Sequence, residues 1–324
     1  MNSSSTSKSR YEKFSIDVLS LVGGQLLIAV IALVNSVVIA RALGVEDRGY
    51  FIMAMLLPNI LITFTDFGLG AAGTKFVASK KWLPSTVFVT NSFIICIRLI
   101  FISFLSSLII YFYSESFFPG IPKNYLYLGM LQAVSLAIQG LIFPILLGLG
   151  KGFEYSLILV YSSLLSLIAL TTGWLTVGLS VSLALILQIS SSVLISIYIY
   201  ITVFKTIDEV GNYSSKYLKD ALNFGSGVFI SVISTFANEK MILIVLNFFG
   251  GVVYVSLYTL AQALTERIYL LADAVGTILM PKIAEDSSNN SKVLTPLLFK
   301  MTFIITLFLS VILILLAEKI ITLV

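Results

Sequence analysis

The sequence predicts an all-α polytopic membrane protein of about nine transmembrane helices, arranged as a parallel six-helix repeat whose second lobe is incomplete. Three observations predict it. The chain of 324 residues is 58% hydrophobic and only 11% charged, with a mean hydropathy of +1.03. Soluble domains carry about 25% charged residues, so this chain cannot clothe itself in polar surface, and its solvent is lipid. The apolar residues fall into nine runs, most of them about 23 to 29 residues long. Helices crossing a ~30 Å hydrocarbon core need about 20 residues, whereas barrel strands would be ~10 residues long and alternating. A polar turn, an aspartate inside an apolar run and a basic end then recur at one fixed offset.

The tail, residues 1–15, is Ser-rich and carries Lys8, Arg10 and Lys13. The first run, 16–40, is longer than the roughly 7–15 apolar residues of a cleavable signal, so it reads as an uncleaved span. The second, 50–72, follows a polar turn, contains Pro58 and ends on Asp66 with Gly68, Gly70 and Gly73 behind it. The third, 85–113, starts after Lys80, Lys81 and Trp82 and carries Arg98. The fourth, 125–149, has Pro144 near Gly140 and Gly148, and proline in spans two and four predicts kinks because it removes a backbone donor. The fifth and sixth, 155–177 and 179–204, present serines (Ser162, Ser166, Ser190, Ser191, Ser192) that suit close helix packing. The seventh, 221–249, holds Glu239 and Lys240; the eighth, 252–280, holds Glu266, Arg267 and Asp273; the ninth is 294–317. Spans one to six, 16–204, form the first lobe. A linker, 205–220, precedes 221–324, the first three helices of the second.

Orientation follows from loop Lys and Arg. Thirteen of these fall on the side of the N-terminus and four (Arg41, Arg48, Lys123, Lys319) on the other, which predicts a cytoplasmic N-terminus. The +4 net charge needs no nucleic-acid partner to explain it. The chain has no histidine and one cysteine, Cys96, so disulfides, cysteine metal sites and the commonest general base are excluded. The loops are short, which leaves no room for an extramembrane active site. No enzyme, cofactor or metal is expected.

Setting Gly44 on Gly251 aligns Gly49 with Ser256, Phe51 with Tyr258, Ala54 with Ala261, Leu57 with Leu264, Asp66 with Asp273 and Lys75 with Lys282. Span two then matches span eight in the same direction, the arrangement of transporters that hold substrate between two parallel lobes. Such a second lobe would need three further helices, so the sequence is expected to be short relative to its relatives.

Seven ionisable residues lie within spans: Asp66, Arg98, Glu239, Lys240, Glu266, Arg267 and Asp273. Each costs roughly 2.5–3.5 kcal/mol at a helix centre, so they face water, ligand or one another. One reading is pairing, for instance Arg98 with Asp66 or Lys240 with a carboxylate of span eight. The other is a hydrated cavity in which Arg98, Lys240 and Arg267 hold an anion. The four carboxylates would then couple an ion or balance charge. Gln25 and Asn35 are further candidate cavity groups.

The phrase ARALGVEDRGYF followed by DFGLGAAGTKFVA resembles the start of bacterial polysaccharide exporters, the O-antigen and capsule flippases of the multidrug/oligosaccharidyl-lipid/polysaccharide superfamily. FFGGVVYVSLYTLAQAL is similar to the matching second-lobe segment, with Ser256 where glycine is more usual. The resemblance implies twelve to fourteen spans, a bacterial inner-membrane location and a lipid-linked oligosaccharide as substrate. Membrane lipid and a glycan polymerase are the implied partners. Two rival functions stay open: a cation-coupled drug or solute exporter, and a membrane glycan polymerase or ligase.

Overall fold

The computed structural model describes residues 3–207, 211–285, 300, 302–308, 310–312 and 314–315; the side chains of 3–22, 26 and 267–285 are outside that description. Nine helices precede residue 286: α1 (Ser3–Phe64), α2 (Leu69–Ala78), α3 (Pro84–Phe117), α4 (Lys123–Met130), α5 (Gln132–Leu141), α6 (Pro144–Gly148), α7 (Gly152–Val177), α8 (Val181–Thr206) and α9 (Ser215–Glu285). No strand occurs among the described residues. Six stretches are long and apolar enough to cross a membrane. Two of them, Gly23–Phe64 with 42 residues and Ser215–Glu266 with 52, each exceed what one crossing needs at ~1.5 Å per residue. Each is two crossings, giving eight before residue 286. The apolar helix Thr302–Ile312 falls in the ninth predicted run.

The doubled length of α1 and α9 has one cause. The polar turns expected at 41–49 and around Gly251 are helical on both sides of a single non-helical residue. That residue is Gly44 (φ 76°, ψ −179°) in α1 and Gly251 (φ 74°, ψ −176°) in α9. This conformation is essentially restricted to glycine. The two residues that anchor the repeat therefore carry the same rare backbone geometry at the same kind of corner.

α1 continues through Pro58, whereas the fourth run is divided into α4, α5 and α6, the last starting at Pro144. Neighbouring helices close over the carbonyls that both prolines leave without a donor. A methyl group on Gly129 would collide with the carbonyl oxygen of Ala54, four residues before Pro58. One on Gly70 would collide with that of Gly140, four residues before Pro144. In both places a glycine lets a second helix close over the freed carbonyl. At the α5–α6 break Asn91 donates to Leu141 O (2.9 Å) and Thr74 to Pro144 O (2.9 Å), so the exposed backbone is satisfied from α3 and α2.

The main core gathers side chains of α1 through α9, with Tyr217, Met53, Ile102, Leu126 and Ile145 fully buried. A second cluster joins the middle of α1 to α7 and α8. Small and neutral polar groups tie the helices together, as the serine runs predicted: Asn35 donates to Ser166 (3.2 Å), Ser166 to Gln188 (2.6 Å), and Gln132 to Ser192 (3.1 Å). Asn35 is thus a packing partner in this structure, while Gln25 is exposed.

Candidate functional site: the seam along α9

Asp66 does not lie in a helix as the apolar pattern suggested. It sits in a four-residue turn, 65–68, between α1 and α2, where Phe67 (φ 49°) and Gly68 (φ 68°) take left-handed conformations. The end of α1 leaves carbonyls without intrahelical donors and a negative dipole terminus. Arg98 of α3, 6% exposed, answers both. Its Nη2 donates to Ile62 O (2.8 Å) and its Nε to Thr65 Oγ1 (3.3 Å), while Nη1 lies 3.6 Å from Asp66 Oδ1. Asp66 in turn stands at the start of α2, where a helix favours negative charge. The pairing of Arg98 with Asp66 is present, and each member offsets the dipole of the helix end beside it. Arg98, expected among the anion-holding cations, is committed to this turn; only Nη1 has no hydrogen-bond partner.

The leading part of α9, residues 215–250, lies along the first spans and passes this turn at Gly225 and Phe229. Near its start, Asp220 accepts from Lys81 (2.8 Å) and Trp82 Nε1 (3.2 Å), and the Tyr217 hydroxyl donates to Asn91 Oδ1 (3.2 Å). Next, Gly225 and Gly68 approach so closely that a methyl on either would meet the other's backbone or that of Phe67. Phe229 then lies 4.9 Å from Phe67 and Phe236 lies 6.3 Å from Phe64, ring centre to ring centre. At the far end Asn247 donates to Pro119 O (3.2 Å).

Lys240 sits one turn beyond Phe236 on this same face, half-buried, with no ion pair or side-chain hydrogen bond among the described residues. The predicted pairing of Lys240 with a carboxylate of span eight is not seen there. Glu239 is exposed. Glu266 is exposed and accepts from Gln262 (2.9 Å). The side chains of Arg267 and Asp273 lie outside the described residues, so of the seven predicted charges the structure brings together Arg98 and Asp66, with Lys240 on the adjoining seam. Among the described residues no three His, Cys, Asp or Glu side chains gather as a metal site would require.

Beyond Gly251 the contacts change. Val252, Val255 and Ser256 are buried, and a methyl on Gly49 would collide with the Val252 backbone. Arg48, 5% exposed, donates through Nη1 to Ser256 O (2.6 Å) and Oγ (3.4 Å), and through Nη2 to Ser36 Oγ (3.2 Å). A pocket of about 120 Å³ adjoins it, lined by Ala40, Gly44, Val45, Leu257 and Leu260. From Leu257 to Glu266 no residue is buried. Among the described residues, the buried positions of α9 beyond Gly251 are Val252, Val255 and Ser256. Sequence reasoning placed Arg48 in a loop and gave it no role. Its signal was the repeat itself, which sets Ser256 opposite Gly49.

Long apolar helices, two of them turning at a duplicated glycine corner, define the class: a multi-pass helical membrane protein. Solved structures agree on the fold. An inward-facing conformation of a multidrug resistance MATE family transporter of the MOP superfamily is similar at 20% identity and TM-score 0.66, covering 94% of this chain and 74% of that one. The outward-facing conformation of a MATE family transporter gives 16% and 0.58, covering 94% and 72%. A MOP superfamily transporter from Pyrococcus furiosus, described as having a binding pocket of reverse polarity, gives 16% and 0.57, covering 95% and 73%. A search of the curated proteins finds no match. The model of the family described as polysaccharide biosynthesis protein matches residues 16–286, and the chain belongs to that family.

Proposed function

We propose that this protein moves a lipid-linked oligosaccharide, a polyprenyl-pyrophosphate-linked glycan unit, across the bacterial inner membrane for surface polysaccharide synthesis. The observation that supports the reading is the family match across most of the chain. The polyprenyl tail stays in lipid while the glycan and pyrophosphate pass along the seam. Lys240, a half-buried cation with no partner among the described residues, is the first group to meet the phosphate, with Arg267 of the same helix as a further donor. The four carboxylates Asp66, Glu239, Glu266 and Asp273 balance these cations or carry a coupling ion. The lysine-rich end faces the cytoplasm, the side on which such a glycan is assembled, and a glycan polymerase is the natural partner on the other.

A flipping assay with a fluorescent polyprenyl-pyrophosphate glycan tests this. Lys240→Gln with Arg267→Gln is expected to lower flipping at least about tenfold, the effect of losing one charge-assisted contact, without altering thermal stability. Unchanged flipping removes the anion role of both. The structural neighbours named as multidrug transporters favour a second reading, a cation-coupled exporter. Drug efflux with no effect on surface glycan would establish it.

A further inference from the structure

We propose that Arg48 is a latch closing the two lobes at the Gly44/Gly251 end. The inference rests on the two-lobe transporter reading above but not on the identity of the cargo.

The buried contact of α9 beyond Gly251 with α1 is short. Among the described residues it consists of Val252, Val255 and Ser256, set against Gly49 and Arg48. It begins directly after a corner residue in a conformation that glycine alone adopts freely.

The polar part of this closure is small and specific. Arg48 is buried, has no carboxylate within ion-pair distance, and spends two of its nitrogens on neutral oxygens from two helices, Ser36 on one side and Ser256 on the other. Burying a guanidinium without a counter-ion is unfavourable unless its hydrogen bonds are made. Such a contact is stable when shut and is released as a unit, since water replaces all its acceptors once the helices part. The substitution of Ser256 at the position aligned with Gly49 supplies the hydroxyl for this contact. Gly49 lets the Val252 backbone approach near enough for the carbonyl of Ser256 to reach Arg48.

The test uses the full chain in membranes with its one cysteine removed (Cys96→Ser) and a reporter at the fully buried Val255 (Val255→Cys). A membrane-impermeant maleimide is applied from the side of the Gly44/Gly251 end. With Arg48 intact the reporter is protected. Arg48→Gln is expected to raise its labelling rate at least about tenfold, the population shift that follows loss of a charge-assisted hydrogen bond. Gly49→Val, which wedges the helices apart without touching the arginine, is expected to do the same; Lys123→Gln, at the same end of the molecule, is expected to leave labelling unchanged. Arg48→Lys serves where the glutamine variant does not accumulate, because one ammonium cannot span Ser36 and Ser256, and it too must increase labelling. Protection that persists in the arginine and wedge variants overturns the latch, as does rapid labelling with Arg48 in place. A chain that fails to flip glycan yet shows the labelling change loses the flippase reading and keeps the latch.

Discussion

Arg98 offers the sharpest quantitative test. Arg98→Met keeps most of the side chain's length and removes its charge, its 2.8 Å bond to Ile62 O, its 3.3 Å bond to Thr65 and its 3.6 Å ion pair with Asp66. Hydrogen bonds from charged donors contribute about 1.5–3 kcal/mol each, and the longer ion pair lies beyond hydrogen-bond reach and adds less. Deleting one partner of a buried pair costs about 3–5 kcal/mol, because the other charge is left stranded. Asp66, 21% exposed, is sheltered enough for that range to apply. The loss of about 3–5 kcal/mol is measured by unfolding in mixed micelles, followed through Trp82 and Trp174 fluorescence. Adding Asp66→Asn to the methionine variant removes the stranded carboxylate and is expected to restore at least ~1 kcal/mol, within the usual range for coupled neighbours. If the two substitutions add to within ~0.5 kcal/mol, the charges do not act as a unit and the account of the turn fails.

Other consequences follow from the packing. Gly129→Ala and Gly70→Ala place a methyl against the carbonyls of Ala54 and Gly140, and each is expected to cost roughly 1–3 kcal/mol in the same unfolding measurement. Asn91→Ala leaves Leu141 O and the Tyr217 hydroxyl without partners, for a loss of about 1–3 kcal/mol per stranded group, whereas an exposed control such as Tyr161→Phe is expected to be silent. Asp220→Asn frees Lys81 and weakens the acceptor of Trp82; faster hydrogen exchange at residues 79–83, with global unfolding unchanged, is the expected result.

Part of the candidate site is legible in the amino-acid sequence. Asp66 and Arg98 stand out because charge inside an apolar run is unfavourable, and pairing is one of the two explanations available. What the pattern does not show is the reason for the pair, a helix break that only glycine and a left-handed Phe67 permit, with Arg98 on its carbonyls. Arg48 leaves no such mark, because nothing in its own neighbourhood distinguishes a loop arginine from a buried one; its acceptor, Ser256, lies 208 residues away. Lys240 is visible as a misplaced charge, and the structure adds its position on the face that also carries Phe229 and Phe236.

The amino-acid sequence alone determined which stretches enter the bilayer, because transfer free energies accumulate residue by residue along one segment and need no partner. It determined the two glycine corners, since a backbone conformation closed to other residues leaves its mark at a single position. Only the tertiary structure decided which charges meet, where the fourth run is divided, and where α1 touches α9. Those outcomes depend on distances between segments tens to hundreds of residues apart. A freed carbonyl or a buried guanidinium is satisfied or stranded according to what another helix brings to it.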